Sequence, residues 1–253
     1  NFGKSEISFY YGTNQQYFEE LWYKRTETFT FEDGSQYHRH QQTEPVYSKG
    51  YDGNGGLTYN LQDGNKYMLN ITAKLNHGAD PTREEKGKLY TEEYPELVTD
   101  RIDMYHGSDF TPSLDIYYQR NLRNKQFLAF NAVGTYMRTT RQSQYKEFLN
   151  NEPIVDYSSS VKGKKYSLIA EGIYEKSFAN GGRLNTGIKH TQSYTNNLYD
   201  GTLFYHTQMR QAVSYGYVQY NGRWQKLRYG FGVGATRSWF HQDGQKEYEK
   251  WSF

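Results

Sequence analysis

Four clusters in this chain hold residue types that could do chemistry. His38 and His40 stand two apart in YHRHQQ. On a strand they would point the same way and could share a metal, but no third ligand lies near, and a solvated strand is the plainer reading. Asp103 and His106 in RIDMYHGSD are an acid and a base of the kind that move protons. They sit in a long polar stretch, and no catalytic role is expected of them. Ser158, Ser159 and Ser160 lack the G-x-S-x-G frame of a nucleophile elbow. Gly230, Gly232 and Gly234 in RYGFGVGATRS echo a phosphate-binding glycine loop, which needs a strand before it and a helix after it. The following ATRSWFHQDG has no helical periodicity. The alternate positions Leu227, Tyr229, Phe231, Val233 and Ala235 are apolar, so the segment reads as a strand with two unlike faces. No metal, cofactor or catalytic residue is expected, and the chain is read as a non-enzyme.

Composition narrows the class. The 253 residues include 27 Tyr, 18 % aromatics and no Cys, with a net charge of +2 and a mean hydropathy of −1.01. Disordered chains are poor in aromatics. The small net charge implies no nucleic-acid partner. The absence of Cys excludes disulfides and thiolate chemistry. No apolar run is long enough for a membrane helix, but a spanning strand needs only about ten residues, half of them polar.

The elements that would position these residues repeat the same alternation. In Lys66–Asn76 one parity is Tyr67, Leu69, Ile71, Ala73 and Leu75. Leu114, Ile116 and Tyr118 form another stripe, as do Leu128, Phe130, Ala132, Gly134 and Tyr136, and Tyr166, Leu168, Ala170, Gly172 and Tyr174. Near the start, Ile7, Phe9 and Tyr11 oppose Glu6 and Ser8. Asp-Gly and Asn-Gly pairs at Asp33, Asp52, Asn54, Asp63, Asn180, Asp200, Asn221 and Asp243 predict tight turns. Short connections alternate with longer excursions, the longest from Asn76 to Ser113. Within it, Thr82 and Glu85 fit a capping box and predict either a short loop helix or a polar loop. Tyr17–Phe31 and Val133–Leu149 carry alternation into polar sequence and read as hairpins projecting beyond a bilayer.

The expectation is an all-β, antiparallel, up-and-down transmembrane barrel of about ten strands, one region over 1–253, in a bacterial outer membrane. Its lipid-facing stripe would be Tyr67, Leu69, Ile71, Leu75, Leu114, Ile116, Leu128, Phe130, Leu168, Leu227, Phe231 and Val233. Tyr118, Tyr136, Tyr174 and Tyr229 would form an aromatic girdle at the interfaces. Lys66, Lys74, Asp115, Glu171, Glu175, Arg183, Lys189 and Arg228 would line a hydrated interior. The aromatic segments LYTEEYPEL and NNLYDGTLFYH could bind sugars or peptides, or simply pack against other loops; no ligand residue is assigned. Two alternatives stand: a complete ten-stranded barrel with an enzymatic mouth like that of the omptin proteases, and a soluble carbohydrate-binding sandwich, which also alternates.

The stretch PSLDIYYQRNLRNKQFLAFNAVGTYMRT (112–139), with RYGFGVGATRSWF and YNGRWQKLRYG, resembles the barrel hairpins of TonB-dependent receptors, particularly the Bacteroidetes outer-membrane barrels. The resemblance covers the strands from about Leu57 onward. It implies a nutrient-uptake receptor with a 22-strand barrel, of which this chain would be a fragment without its plug domain. It further implies partners in the plug, the TonB energy-coupling complex, outer-membrane lipid and a surface lipoprotein. The ending EYEKWSF resembles a terminal barrel-insertion signal, although Glu247 and Glu249 stand where apolar residues would be expected.

Overall fold

The computed structural model describes residues 4–202 and 204–253, with backbone alone at 16–21, 47–49 and 80–83. Its regular elements are all strands: β1 (Ser5–Leu21), β2 (Lys24–Thr30), β3 (Gln36–Thr43), β4 (Val46–Asp63), β5 (Tyr67–Thr91), β6 (Thr99–Leu122), β7 (Gln126–Leu149), β8 (Glu152–Ser177), β9 (Arg183–Gly201), β10 (Tyr205–Trp224), β11 (Leu227–Gln242) and β12 (Tyr248–Ser252). They form one antiparallel sheet in the order β1-β4-β5-β6-β7-β8-β9-β10-β11-β12. The path holds ten strands, in line with the expected number. The hairpin β2–β3 adds two more beside it, because the expected strand 17–31 breaks at Trp22 and Tyr23. Among the described residues no ladder joins β1 to β12, and the sheet is not closed by hydrogen bonds.

The turns follow local chemistry. Gly34, Gly64, Gly181 and Gly244 take positive φ at four of the expected Asp-Gly or Asn-Gly sites. Asn124-Lys125 and Asn150-Asn151 are each two consecutive left-handed residues, the geometry of a type I′ hairpin. Three expected turns are instead interior to strands: Asp52-Gly53 and Asn54-Gly55 in β4, and Asn221-Gly222 in β10. There glycine makes room for a ring. A Cβ at Gly53 would run into His77, and one at Gly222 into Tyr229.

The longest excursion is also mostly strand. β5 continues to Thr91 and β6 begins at Thr99, which leaves only 92–98 as loop. The helix predicted at Thr82–Glu85 does not form; the side chain of Thr82 lies outside the described residues. Backbone groups there pair across to β6, with Glu85 opposite Asp103 and Gly87 opposite Arg101. A single helical turn could not match that pairing.

A soluble two-layer domain hides a core, and this sheet does not. Leu89 and Ala129 are the buried hydrophobics among the described residues. The accessible surface is 17704 Å², against roughly 11,600 Å² for a compact monomer of this mass. All twelve strands belong to one hydrogen-bonded sheet.

Candidate functional site

Register partners in a sheet share a face, so the ladders sort every strand residue to one side or the other. All the expected stripe residues fall on one side. Leu57 stands opposite Phe9 and Ala73, Ile71 opposite Ile116, and Leu114 opposite Gly134. Leu128 stands opposite Tyr174, Gly172 opposite Ile188, and Val218 opposite Val233. These apolar side chains are turned outward with nothing over them: Phe9 is 74 % exposed, Phe231 67 % and Val233 79 %. The expected interior charges Lys74, Asp115, Glu171, Glu175, Arg183, Lys189 and Arg228 fall on the other side, where Glu171 and Lys189 are direct partners. That face also carries Asn60 and Asn70, hydrogen-bonded at 2.5 Å, and Thr58 and Thr72 at 3.3 Å. Lys66 sits in the turn before β5 and pairs with Asp63 at 3.6 Å.

The apolar stripe crosses the sheet obliquely. The ladder from Phe9 runs through Leu57, Ala73, Leu114, Gly134, Leu168, Gln192 and Ala212 to Trp239. On β11, however, the stripe Leu227–Ala235 centres on Phe231, eight residues short of Trp239 and toward the 224–227 turn. Over eight strand steps it therefore shifts by eight residues in all, unevenly: the stripe centres Ile71, Ile116, Ala132 and Ala170 are direct partners on one ladder, and six of the eight residues fall between β8 and β11. With about 3.4 Å per residue and 4.8 Å between strands, the average inclination of the band to the ladders from β1 to β11 is about 35°. Strands in closed membrane barrels are tilted by about 35–45°.

Aromatic rows bound the band. On the far side, Phe110, Tyr136, Tyr166 and Tyr194 form a continuous row across β6–β9, with ring centroids 6.5, 4.8 and 6.2 Å apart. Near the short turns stand Tyr118, Tyr174, Tyr220 and Tyr229; Tyr220 and Tyr229 are 6.3 Å apart. The four expected girdle residues thus divide, Tyr136 to one edge and Tyr118, Tyr174 and Tyr229 to the other. Tyr174 and Tyr166 lie eight residues apart on β8. That is about 27 Å along the strand and about 22 Å in height at a 35° tilt, beside the roughly 25 Å apolar band of outer-membrane barrels. Between the rows, the apolar face carries no Asp, Glu, Lys or Arg on β6 to β9; Asp63 of β4, opposite Tyr67, and Arg237 of β11, opposite Ser214, share this face at its margins. His190 and Ser214, also on this face, are hydrogen-bonded at 2.8 Å.

Above the band the polar face changes character. The β2–β3 hairpin lies against β5, with Gln41 opposite Leu89 and Thr43 opposite Gly87. Tyr23 donates to Glu85 at 3.2 Å and accepts from Gln41 Nε2 at 2.8 Å and Arg101 Nη1 at 2.9 Å. Arg101 Nη2 donates to Asp103 at 2.5 Å, and the guanidinium lies 3.8 Å from Glu85 and 5.4 Å from the Tyr145 ring centroid. Gln41, Thr43, Glu85 and Arg101 are all buried, and Arg101 Nε has no partner. Arg39 Nε donates to Glu27 at 2.8 Å, and Arg25 also pairs with Glu27. The hydrogen bond from Arg39, foremost, holds the Glu27 carboxyl below its ordinary range. Burial, then the hydrogen bond to Glu147, pushes the Tyr145 hydroxyl up. This network fastens the β2–β3 hairpin to β5 and β6.

The candidate chemistry disperses. His38 and His40 do share a face, but they bond to Thr28 at 3.0 Å and Thr26 at 2.9 Å, and His40 also meets Glu92 at 3.1 Å. No cluster of three metal-ligating residues occurs among the described residues. Asp103 and His106 are three apart on β6 and so point to opposite faces, which separates the supposed acid and base. Ser158–Ser160 lie inside β8. The glycines of RYGFGVGATRS lie inside β11 on the polar face, flooring a groove of about 330 Å³ beside Tyr215 and Tyr217. The loop in LYTEEYPEL is exposed, and Leu203 of NNLYDGTLFYH lies outside the described residues. No protein-family model, curated protein or solved structure matches the chain.

Proposed function

We propose that this sheet is part of the wall of an outer-membrane β-barrel, with its apolar face toward lipid and its polar face toward a hydrated interior. The observation that carries this reading is the oblique band: apolar on one face, about 22 Å high, edged by aromatic rows and inclined as tilted spanning strands would require. An open sheet with an uncovered apolar side is a poor soluble protein, because its two edges and one face would aggregate. In lipid the face is solvated, and the edges require further strands.

Within that reading, the barrel is of the nutrient-uptake receptor type. The hairpins that rise beyond the band would form the outer mouth and receive the ligand. Passage through the interior would be gated by a plug and driven by the TonB complex. What supports this finer step is the hairpin resemblance at 112–139 and the length of β5 to β8, 24 to 26 residues each, more than twice a spanning strand.

Fractionation of native membranes with an antibody to the 92–98 turn tests both levels. A carbonate-resistant outer-membrane band well above 29.8 kDa is the expected result. A membrane band near that mass would remove the receptor reading and keep the barrel. A soluble band would remove both.

A further inference from the structure

On the apolar side, immediately beyond the far aromatic row, the sheet places cations together. Arg138 is two residues past Tyr136, and its direct register partner is Lys164, two residues past Tyr166. Lys162 follows on the same face opposite Thr140. Arg210, the register partner of Tyr194, lies over that ring at 5.6 Å. Arg138, Lys162, Lys164 and Arg210 are exposed. None of the first three forms an ion pair among the described residues, whereas neighbouring cations do: Arg141 holds Asp109 at 2.6 Å and Lys146 holds Asp156 at 3.4 Å. The nearest acid on this face, Asp200, stands opposite Ser160, two residues beyond Lys162.

Like charges directly across a ladder repel. A soluble surface would relieve such a pair with a carboxylate or with distance, and here neither is present. The height is also specific: aromatic rings mark the edge of the apolar band, and the next step outward is where lipid headgroups begin. Phosphate oxygens are strong acceptors for guanidinium and ammonium groups.

Resting on the barrel reading above, we propose that Arg138, Lys164 and Lys162, flanked by Arg210, form a binding site for the phosphate-bearing headgroup of an anionic membrane lipid in the leaflet on the long-hairpin side. The headgroup phosphate bridges β7 and β8, and acyl chains run down the apolar face past Leu168, Phe130 and Leu128. The site neutralises the repulsion between Arg138 and Lys164 and ties the sheet to one leaflet.

The full chain, assembled in detergent micelles, is titrated with a bis-phosphorylated glucosamine-disaccharide lipid, with the same lipid dephosphorylated, and with inorganic phosphate, each adduct being counted by native mass spectrometry. The phosphorylated lipid binds more tightly than the other two. Arg138→Gln or Lys164→Gln weakens it about fivefold each, and the triple variant with Lys162→Gln about a hundredfold, at the membrane-surface value per basic residue. The polar-face pair Lys74→Gln and Arg228→Gln leaves it unchanged. If the triple variant fails to assemble, the two single variants decide. Equal binding of the dephosphorylated lipid, unaltered binding by the variants, or inorganic phosphate alone matching the lipid would each overturn the site. Lipid binding without phosphate preference removes only this proposal. A chain that binds no lipid and partitions into water removes the barrel reading as well.

Discussion

The same strands, β5 to β7, are built in two different ways along their length. In the band, one face is apolar and exposed, and the described residues place nothing over it. Above the band, the opposite face is cross-linked by polar groups, the buried Gln41, Glu85 and Arg101 and the half-buried Tyr23 and Asp103. Backbone ladders run through both parts apart from a bulge between Asp80 and Arg83 and a gap in the β6–β7 pairing at Thr111 and Pro112. The difference lies in where the side chains find their partners. In the band the partner is the surrounding medium; above it the partner is the next strand. A long β-sheet can therefore be matched to two solvents by changing only which parity is apolar and which is paired.

Truncating the network should have the largest effect. Arg101→Ala removes the buried guanidinium that Tyr23 and Asp103 hold and that lies beside Glu85, and should cost about 3–5 kcal/mol, as for other broken buried pairs. The loss should be local: limited proteolysis at Lys24 and Arg25 accelerates, while membrane assembly is unchanged. Ile71→Arg puts a charge in the middle of the band and should cost about 2–4 kcal/mol of assembly into lipid. Its neighbour Thr72→Arg, on the polar face opposite Asp115, should stay within about 0.5 kcal/mol. Heat-modifiable gel mobility of the two variants reads the difference, and equal behaviour would erase the distinction between faces.

Glycine sharpens the contrast further. A Cβ at Gly87 would lie 2.5 Å from the Gln42 carbonyl oxygen, so Gly87→Ala should push β3 from β5 at about 1–3 kcal/mol. At Gly134, in the band, nothing lies within 4 Å, and Gly134→Ala should be silent in the same hydrogen-exchange measurement. The smallest effect is expected from acid. Glu27 titrates below its ordinary 4.5 when the β2–β3 hairpin is formed, chiefly through the hydrogen bond from Arg39. Its contribution is therefore complete above that value and is lost as pH falls through the lowered one. Exchange of β2–β3 amides should quicken there, while β5–β8 amides within the band should not change.

Much of the band could be read from period-two alternation, because β5, β7, β8 and β11 each keep one parity free of polar side chains other than tyrosine for five positions. The network could not. Carrying the parity of Tyr67–Leu75 forward would place Glu85 on the apolar side. The bulge between Asp80 and Arg83 shifts the register and turns it to the polar side, opposite Asp103. No local signal announces a bulge whose cause is pairing with two distant strands. The internal Asn-Gly pairs misled for a related reason. A glycine under a tyrosine or histidine ring looks the same in sequence as a glycine in a turn, and only the partner strand tells them apart. The obliquity of the band is likewise a property of register, which alternation within a single strand cannot contain.

That obliquity is also what most directly tests the membrane reading. The chain has no native Cys, so single cysteines at Phe9, Ile71, Ala132, Phe231 and Trp239 can each carry a spin label in the bilayer-assembled protein. Collisions with dissolved oxygen and with a water-soluble nickel complex report whether each label meets lipid or water. Phe9 and Trp239 lie on one ladder, whereas Phe9 and Phe231 lie in one band. A tilted membrane wall predicts lipid contact at Phe9, Ile71, Ala132 and Phe231, and water contact at Trp239. Water contact at all five, or lipid contact at Trp239 equal to that at Phe9, would contradict it.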